Sequence, residues 1–387
     1  LDEFFRMAAG FEVQVDQELT VFYGTVHRDH VTQYEAIVME MLEEPAFLVE
    51  DFVRVKSDLL NYLKVGLRGS NDEELAKELL YAKIFAGHPY GHPCCGTVAG
   101  LEAIELSDVK EYFANVLKRS ERLELPAART LEGLEVTLVE KEDARGVAMS
   151  FGYPIEVRRG HADYHALLVA QSWLGQHRNG GRLFDSIREV RGLNYGDYAY
   201  IEYFPDGMHE FEPEPNVARQ QQIFEVWLRP VTPEKALFAF RMALYEIDQL
   251  KRKGMSVDDF ERTRNFLSKY VKLLIKTEAL VQGYRIDSEF YGTVEYTRYI
   301  AEGLAGLTIE DVNRAARKYL DTEKLCFVAV GPGMAELGRQ MRESVATPIA
   351  YEVEQPEEVL AVDRVVGAWP LRVTDLQIVP FERVFEN

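Results

Sequence analysis

The sequence predicts an α/β fold of two homologous domains, in each of which helices cover an antiparallel-rich sheet. An internal repeat is the first observation: residues 49–64 align without a gap on residues 257–272, with seven identical positions. A second block, residues 100–109, matches residues 303–312 at nearly the same offset. Two blocks in the same order and spacing indicate duplicated halves.

Each half begins with a predicted strand and continues into helices. Residues 18–27 and 222–228 are rich in β-branched and aromatic residues, as half-buried strands are. Thr32 and Glu35 have the spacing of a capping box, and Thr232 precedes a proline that suits a first helical turn. The two halves therefore predict the same order of elements.

Helical periodicity supports the covering role of the helices. Phe260, Leu267, Val271 and Leu274 fall on one stripe, with charged residues on the opposite side. A helix with one apolar stripe packs one face on a sheet and leaves the other in water. This pattern predicts an α/β sandwich rather than a helical bundle.

The predicted domains are residues 1–118 and 136–344, joined by a linker at 119–135 and followed by an extended tail at 345–387, where prolines break any helix. The second domain ends with a strand and a helix over residues 325–343. No counterpart follows residue 117, and a sheet without its edge strand would expose an unpaired ladder. We therefore expect the first domain to be incomplete.

Composition excludes several classes of function. The chain has 387 residues and a formal net charge of -20, which repels phosphate backbones, so no nucleic-acid partner is expected. No apolar run reaches the roughly 18 residues that a membrane-spanning helix needs. Cys94, Cys95 and Cys326 lack C-x-x-C spacing and indicate neither disulfides nor a thiolate metal site. Glycine-rich phosphate loops and the G-x-S-x-G elbow are also missing from the sequence.

Three histidine pairs are candidate metal ligands, but none lies in a zinc motif. In the pair at 161 and 165, Ala162 stands where H-E-x-x-H needs its glutamate, and Tyr164 stands where H-x-x-E-H needs one. The other pairs fall at a strand end and in a turn rich in proline. The pairs are His27 and His30, His88 and His92, and His161 and His165. We expect structural roles for all three.

The stretch from residue 182 to 203 predicts a helix, a break at Gly192 and a strand. Arg188 lies in the last helical turn and Tyr195 at the strand start, so the reversal can bring guanidinium and phenol to one side. A fixed cation and a hydroxyl donor suit a peptide carbonyl or an anionic tetrahedral oxygen. The alternative is structural, because arginine near a helix C-terminus also favours the helix dipole and tyrosine is common in strands.

The block from Leu183 to Tyr195 resembles the signature of the C-terminal domain of the inverted-zincin peptidases, the family of pitrilysin, insulin-degrading enzyme and the mitochondrial processing peptidase. Residues 45–52, 85–93 and 96–104 are similar, in the right order, to that family's N-terminal domain. The resemblance covers nearly the whole chain. It implies a LuxS/metallohydrolase-like insulinase architecture, in which repeated α/β domains enclose a chamber.

The resemblance also implies a site shared between the domains. In the family, zinc is held by H-x-x-E-H and a later glutamate of the first domain, and an arginine and a tyrosine of the second complete the site; Arg188 and Tyr195 match that pair. The H-x-x-E-H motif is missing, and the family would place it before Leu1. The later glutamate aligns with Asp58, seven residues after Asp51, and aspartate is one methylene shorter. We therefore assign no metal ligand in this chain.

Three functions stay open. The first is the zinc-free subunit of a heterodimeric metallopeptidase, inactive alone, with zinc in a partner of similar size that carries H-x-x-E-H, and with a peptide as substrate. The second is a self-sufficient zinc metalloendopeptidase that uses Asp58. The third is a non-catalytic scaffold subunit of the same fold. Bacterial relatives of this type suggest a periplasmic rather than a cytoplasmic location.

Overall fold

The fold is known from a computed structural model that describes residues 2–117, 124–176, 180–204, 213–351 and 353–387. The helices are α1 Asp2–Arg6, α2 Val31–Glu43, α3 Val49–Asn61, α4 Asp72–Ile84, α5 Val98–Ala103, α6 Leu106–Tyr112, α7 Tyr164–Gln171, α8 Pro233–Lys253, α9 Val257–Tyr270, α10 Glu278–Tyr291, α11 Tyr296–Ala305, α12 Ile309–Tyr319, α13 Met334–Arg342 and α14 Glu357–Gly367. Wider helical turns span Tyr62–Ser70, Ser172–Gln176 and Phe184–Glu189. Within these ranges, no helix has the length and apolar character to cross a membrane.

The strands form one large mixed sheet and one small sheet. They are β1 Glu12–Val15, β2 Thr20–Tyr23, β3 Leu134–Glu140, β4 Val147–Ile155, β5 Asp197–Tyr200, β6 Gln222–Val231, β7 Leu325–Gly331 and β8 Val373–Pro380. The large sheet has the order β5-β6-β4-β7-β3-β8, and β1 pairs with β2. Strand β3 runs parallel to β7 and β8, whereas the other pairs are antiparallel. The predicted α/β class is confirmed.

Helix α4 connects the first part of the chain to the large sheet. It packs on β4 and β7, and Leu75, Ala76, Leu80 and Ile84 are inaccessible to solvent. One hydrophobic core includes these residues together with those of the large sheet. The first part of the chain and the large sheet are thus held by shared apolar packing, and the domain boundaries at 119–135 stay a prediction.

The sequence repeat is also a repeat of local structure. Helix α3 and its repeat partner α9 have matching bounds, and α5–α6 corresponds to α11–α12. Both second helices begin with a capping box, formed by Glu105 with Asp108 and by Thr308 with Asp311. The repeat does not extend to burial, because α3 has no buried residue whereas α9 buries three. In the described part of residues 1–118, the strands are those of the small sheet.

Two predictions need correction, one about the start of α2 and one about the C-terminal tail. Helix α2 begins at Val31 with His30 as its N-cap, so Thr32 lies inside the helix and the capping box with Glu35 is not formed. The tail is not simply extended, since it contains α14 and β8. Its prolines allow this because Pro356 occupies the N-cap of α14, where a missing N–H costs no helical hydrogen bond. The predicted strand at 325–331 is confirmed as β7, and the apparent omission near 118–121 falls outside the described residues.

Gly152 gives a test of the large sheet. A methyl group at its Cα would lie 2.1 Å from the carbonyl oxygen of Phe224 on the neighbouring strand β6. We expect Gly152→Ala to lower the free energy of unfolding by about 1–3 kcal/mol through overpacking, as measured by urea denaturation. Gly10→Ala is the control, because its methyl would meet nothing within 4 Å. Equal loss of stability in both variants would contradict the described pairing of β4 with β6.

Candidate functional site

The candidate site is built on the chain reversal after the helical turn Phe184–Glu189. Gly192 has a φ of 59°, which favours glycine, and its N–H donates to the carbonyl oxygen of Arg188 at 2.8 Å. The N–H of Leu193 donates to the carbonyl oxygen of Ile187 at 3.1 Å. Gly192 therefore ends the helix as predicted. The strand that follows is shorter than predicted, because β5 begins only at Asp197.

The reversal brings Arg188 and Tyr195 together. The guanidinium carbon of Arg188 lies 5.6 Å from the centroid of the Tyr195 ring, and 5.2 Å from that of Phe184 one turn earlier in the helix. Tyr195 is 59% exposed, and 34% of the Arg188 side chain is exposed. Both side chains are therefore accessible to a ligand, while their role in binding one stays a prediction.

The charge of Arg188 is balanced locally. Its Nη1 forms an ion pair with the carboxylate of Glu189. Its buried Nε has no hydrogen-bond partner among the residues that the structure describes. One carboxylate and two aromatic rings thus surround a guanidinium group that keeps part of its surface in solvent.

Arg191 is the other arginine of this reversal, and it has a different role. Its Nε donates to Asp363 of α14 at 2.8 Å, and its Nη1 donates to the carbonyl oxygen of Ser186 at 2.7 Å. Arg191 is buried, whereas Arg188 is not. Arg191 therefore anchors the helical turn to the tail of the chain, whereas Arg188 keeps part of its side chain in solvent.

Asn194 holds the loop on which Tyr195 stands. Its Nδ2 donates to Asp197 Oδ1 at 2.6 Å and to the carbonyl oxygens of Gly196 and Arg229 at 3.2 Å. Asp197 is completely buried, and burial raises the pKa of its carboxyl group well above the usual range. These contacts fix the backbone on either side of Tyr195.

A second guanidinium group, not found by sequence reasoning, also lies at Tyr195. The guanidinium carbon of Arg229, on β6, is 5.6 Å from the Tyr195 ring centroid. Its Nε and Nη2 contact Oε2 and Oε1 of Glu73, each at 3.2 Å. Burial raises the pKa of Glu73, although Arg229 opposes this. No short motif relates Arg229 to Tyr195, because their contact depends on the register of β5 and β6.

The residues described do not fit a zinc site. Asp58 is 69% exposed at its side chain and lies 3.5 Å from Arg54, which also pairs with Asp51 at 3.2 Å. Within the described ranges, no three His, Cys, Asp or Glu side chains form a group that could hold a metal ion. In each histidine pair, one Nδ1 accepts a nearby backbone N–H; the donors are Asp29 to His27, Tyr90 to His88 and Asp163 to His161. We therefore derive no metal-dependent step from this chain.

Residues 94–267 match the family described as Peptidase M16 inactive domain. This segment, which is a little under half of the chain, resembles a Peptidase M16 inactive domain. The segment contains Arg188, Tyr195 and Arg229, whereas Glu73 lies outside it. The predicted resemblance to the inverted-zincin peptidases is confirmed, because residues 94–267 match an M16 domain of the inactive type and a solved structure of that kind is similar to the chain.

Two of the following three similar proteins cover most of the chain. The uncharacterized zinc protease YmxG of Bacillus subtilis is 20% identical over 361 residues, which are 86% of this chain and 83% of that protein. A non-peptidase homolog YmxG of Helicobacter pylori is 26% identical over 187 residues, 41% of this chain and 43% of that protein. The crystal structure of a peptidase M16 inactive domain from Pseudomonas fluorescens has a TM-score of 0.68 at 19% identity, over 86% of this chain and 83% of its own. The likeness to this structure supports the M16-like fold.

Proposed function

We propose that this chain is the zinc-free subunit of a two-chain metallopeptidase and that Arg188 and Tyr195 bind the scissile carbonyl of a peptide. The observation that carries the proposal is the pairing of an accessible guanidinium with an accessible phenol, 5.6 Å apart, within an inactive-type M16 domain. Guanidinium and phenol groups are both hydrogen-bond donors, and here both are held by the same chain reversal. Fixed donors of this kind stabilise the negative charge that develops on a carbonyl oxygen during hydrolysis.

The charge balance of the site suits a neutral ligand. Arg188 is paired with Glu189 and Arg229 with Glu73, so the two guanidinium groups face two carboxylates. A free carboxylate would gain little from cations that are already paired. A peptide carbonyl needs only hydrogen-bond donors in its ground state. The same donors bind its oxygen more strongly as that oxygen becomes negatively charged in the transition state.

The proposal assigns zinc and the general base to a partner chain of similar size that carries H-x-x-E-H. In such enzymes the metal polarises the carbonyl and activates water. The chain described here contributes binding and orientation of the peptide. A self-sufficient zinc peptidase is the second candidate, favoured by the name zinc protease given to relatives such as YmxG of Bacillus subtilis. Against it stands the pairing of Asp58 with Arg54.

Purification from the native source tests this function. We expect a chain of similar size with H-x-x-E-H to accompany this one, and we expect the complex, but not the separated chain, to hold stoichiometric zinc by metal analysis. Asp58→Asn should leave the zinc content of the complex unchanged. One zinc ion per separated chain, lost in Asp58→Asn, would overturn the proposal in favour of the self-sufficient peptidase.

A further inference from the structure

We propose that Arg229 is a positioning residue, which holds Tyr195 in place and couples it to helix α4. The inference rests on the proposed function for the role of Tyr195 in peptide binding. Its physical part, the dependence of Tyr195 on Arg229 and Glu73, stands on the contacts alone. Arg229 would act through Tyr195 rather than on the peptide.

Arg229 touches the Tyr195 loop with both its backbone and its side chain. Its N–H donates to the carbonyl oxygen of Gly196 at 3.1 Å, and its own carbonyl oxygen accepts from Asn194 Nδ2 at 3.2 Å. Its guanidinium lies at the Tyr195 ring. The residues before and after Tyr195, and its ring, therefore all contact one residue of β6.

Two guanidinium groups lie near the Tyr195 ring, one from the helical turn and one from the large sheet. Arg188 reaches it from the helical turn of the same reversal, and Arg229 reaches it from β6, with both guanidinium carbons 5.6 Å from the ring centroid. Cations at this distance are attracted to an aromatic ring. Because Arg188 lies on the helical turn whereas Arg229 lies on β6, Arg229 is a contact that ties the ring to the large sheet.

Glu73 fixes the Arg229 guanidinium from the first turn of α4. The two side chains form a two-point contact and are only 22% and 13% exposed. Asp72, the preceding residue, accepts a hydrogen bond from the buried Lys141 at the end of β3. The start of α4 is thus attached to the large sheet on two sides. A displacement of α4 would release Arg229 and, with it, the Tyr195 ring.

Tyrosine NMR tests the coupling without any need for activity. In the full chain labelled with [ε-13C]tyrosine, the Tyr195 ring signal is identified by its loss in Tyr195→Phe. We expect Arg229→Met and Glu73→Gln to move this signal by more than its linewidth. Glu135→Gln is the matched control, because Glu135 forms another half-buried two-point pair, with Arg129, away from Tyr195. The signal should stay in place in this variant.

Peptide cleavage by the reconstituted two-chain enzyme gives the second readout. A small misplacement of a binding group lowers the rate strongly, so we expect Arg229→Met to reduce kcat about tenfold, with partial recovery in Arg229→Lys. An unmoved Tyr195 signal in folded Arg229→Met, checked by circular dichroism, would overturn the inference. If the signal moves while Arg188→Ala and Tyr195→Phe leave cleavage intact, the coupling holds and the proposed function fails.

Discussion

Arg188→Ala is expected to lower kcat for peptide cleavage by the reconstituted enzyme by about 100- to 1000-fold, the usual loss when one fixed donor to an oxyanion is removed. Tyr195→Phe removes a single hydroxyl donor and should cause a loss of the same order. The double variant should lose less than the product of the two, because both donors serve one oxygen. Steady-state kinetics on one peptide at a fixed excess of the partner chain measures all three.

The structure offers close controls for both substitutions. Arg264 lies over the ring of Phe260 at 5.1 Å and pairs with Glu261, as Arg188 lies over Phe184 and pairs with Glu189. Tyr112 is 57% exposed, close to the value for Tyr195. Arg264→Ala and Tyr112→Phe should therefore leave kcat unchanged.

Assembly must be measured beside activity. Arg188 and Tyr195 are both partly exposed, so their replacement should leave the elution volume of the complex in size-exclusion chromatography unaltered. Full activity in Arg188→Ala and Tyr195→Phe, with normal assembly, would favour the scaffold function. Loss of the complex itself would show that the pair belongs to an interface between subunits.

The elements that the sequence predicts well are those set by local patterns. Gly192 ends its helix because the left-handed conformation is needed at one position, and β7 follows from an unbroken apolar run. Arg188 and Tyr195 meet because they lie only seven positions apart in the sequence, with one chain reversal between them. In each case the information lies within about ten residues.

Contacts across the fold could not be read in this way. Arg229 reaches Tyr195 through the pairing of β5 with β6, and its partner Glu73 belongs to a helix far away in sequence. Helix α4 is buried on several sides, so its pattern does not show which surface meets the large sheet. The prolines of the tail predict an extended chain. Only their positions relative to α14 decide whether they stop a helix, and the sequence alone does not give those positions.

Glu225→Gln is expected to stabilise the chain by about 3 kcal/mol at about pH 8 and by little at about pH 4, because burial raises the pKa of Glu225 to about 7 from its ordinary 4.5. Glu225 lies on β6 opposite Gly152 and is inaccessible to solvent. The Ser150 hydroxyl of β4 lies near its carboxylate and lowers its pKa, but by less than burial raises it. The nearby acids Glu74 and Glu78 of α4 raise its pKa further, and Lys77 opposes them.

The sign follows from the two protonation equilibria. Below about pH 4.5 the carboxyl group is protonated in both states, and between about 4.5 and 7 the unfolded chain loses its proton while the folded chain keeps it. The contribution of Glu225 to stability therefore falls with rising pH across this window in the wild type, whereas glutamine cannot titrate and removes this contribution. Urea denaturation at about pH 4 and about pH 8 measures the difference.

Glu246→Gln separates this effect from a general effect of removing a buried charge. Glu246 is as buried as Glu225, but it accepts hydrogen bonds from Arg182 at 2.8 Å and Ser186 at 2.6 Å. Its replacement should destabilise the chain at both pH values, since it removes the buried carboxylate to which Arg182 and Ser186 donate. If only Glu225→Gln stabilises the chain, and only at high pH, the destabilising negative charge lies between α4 and β6. Because α4 also carries Glu73, high pH would then loosen the helix on which Arg229 depends, and the Tyr195 signal of the wild type should shift over the same range of pH.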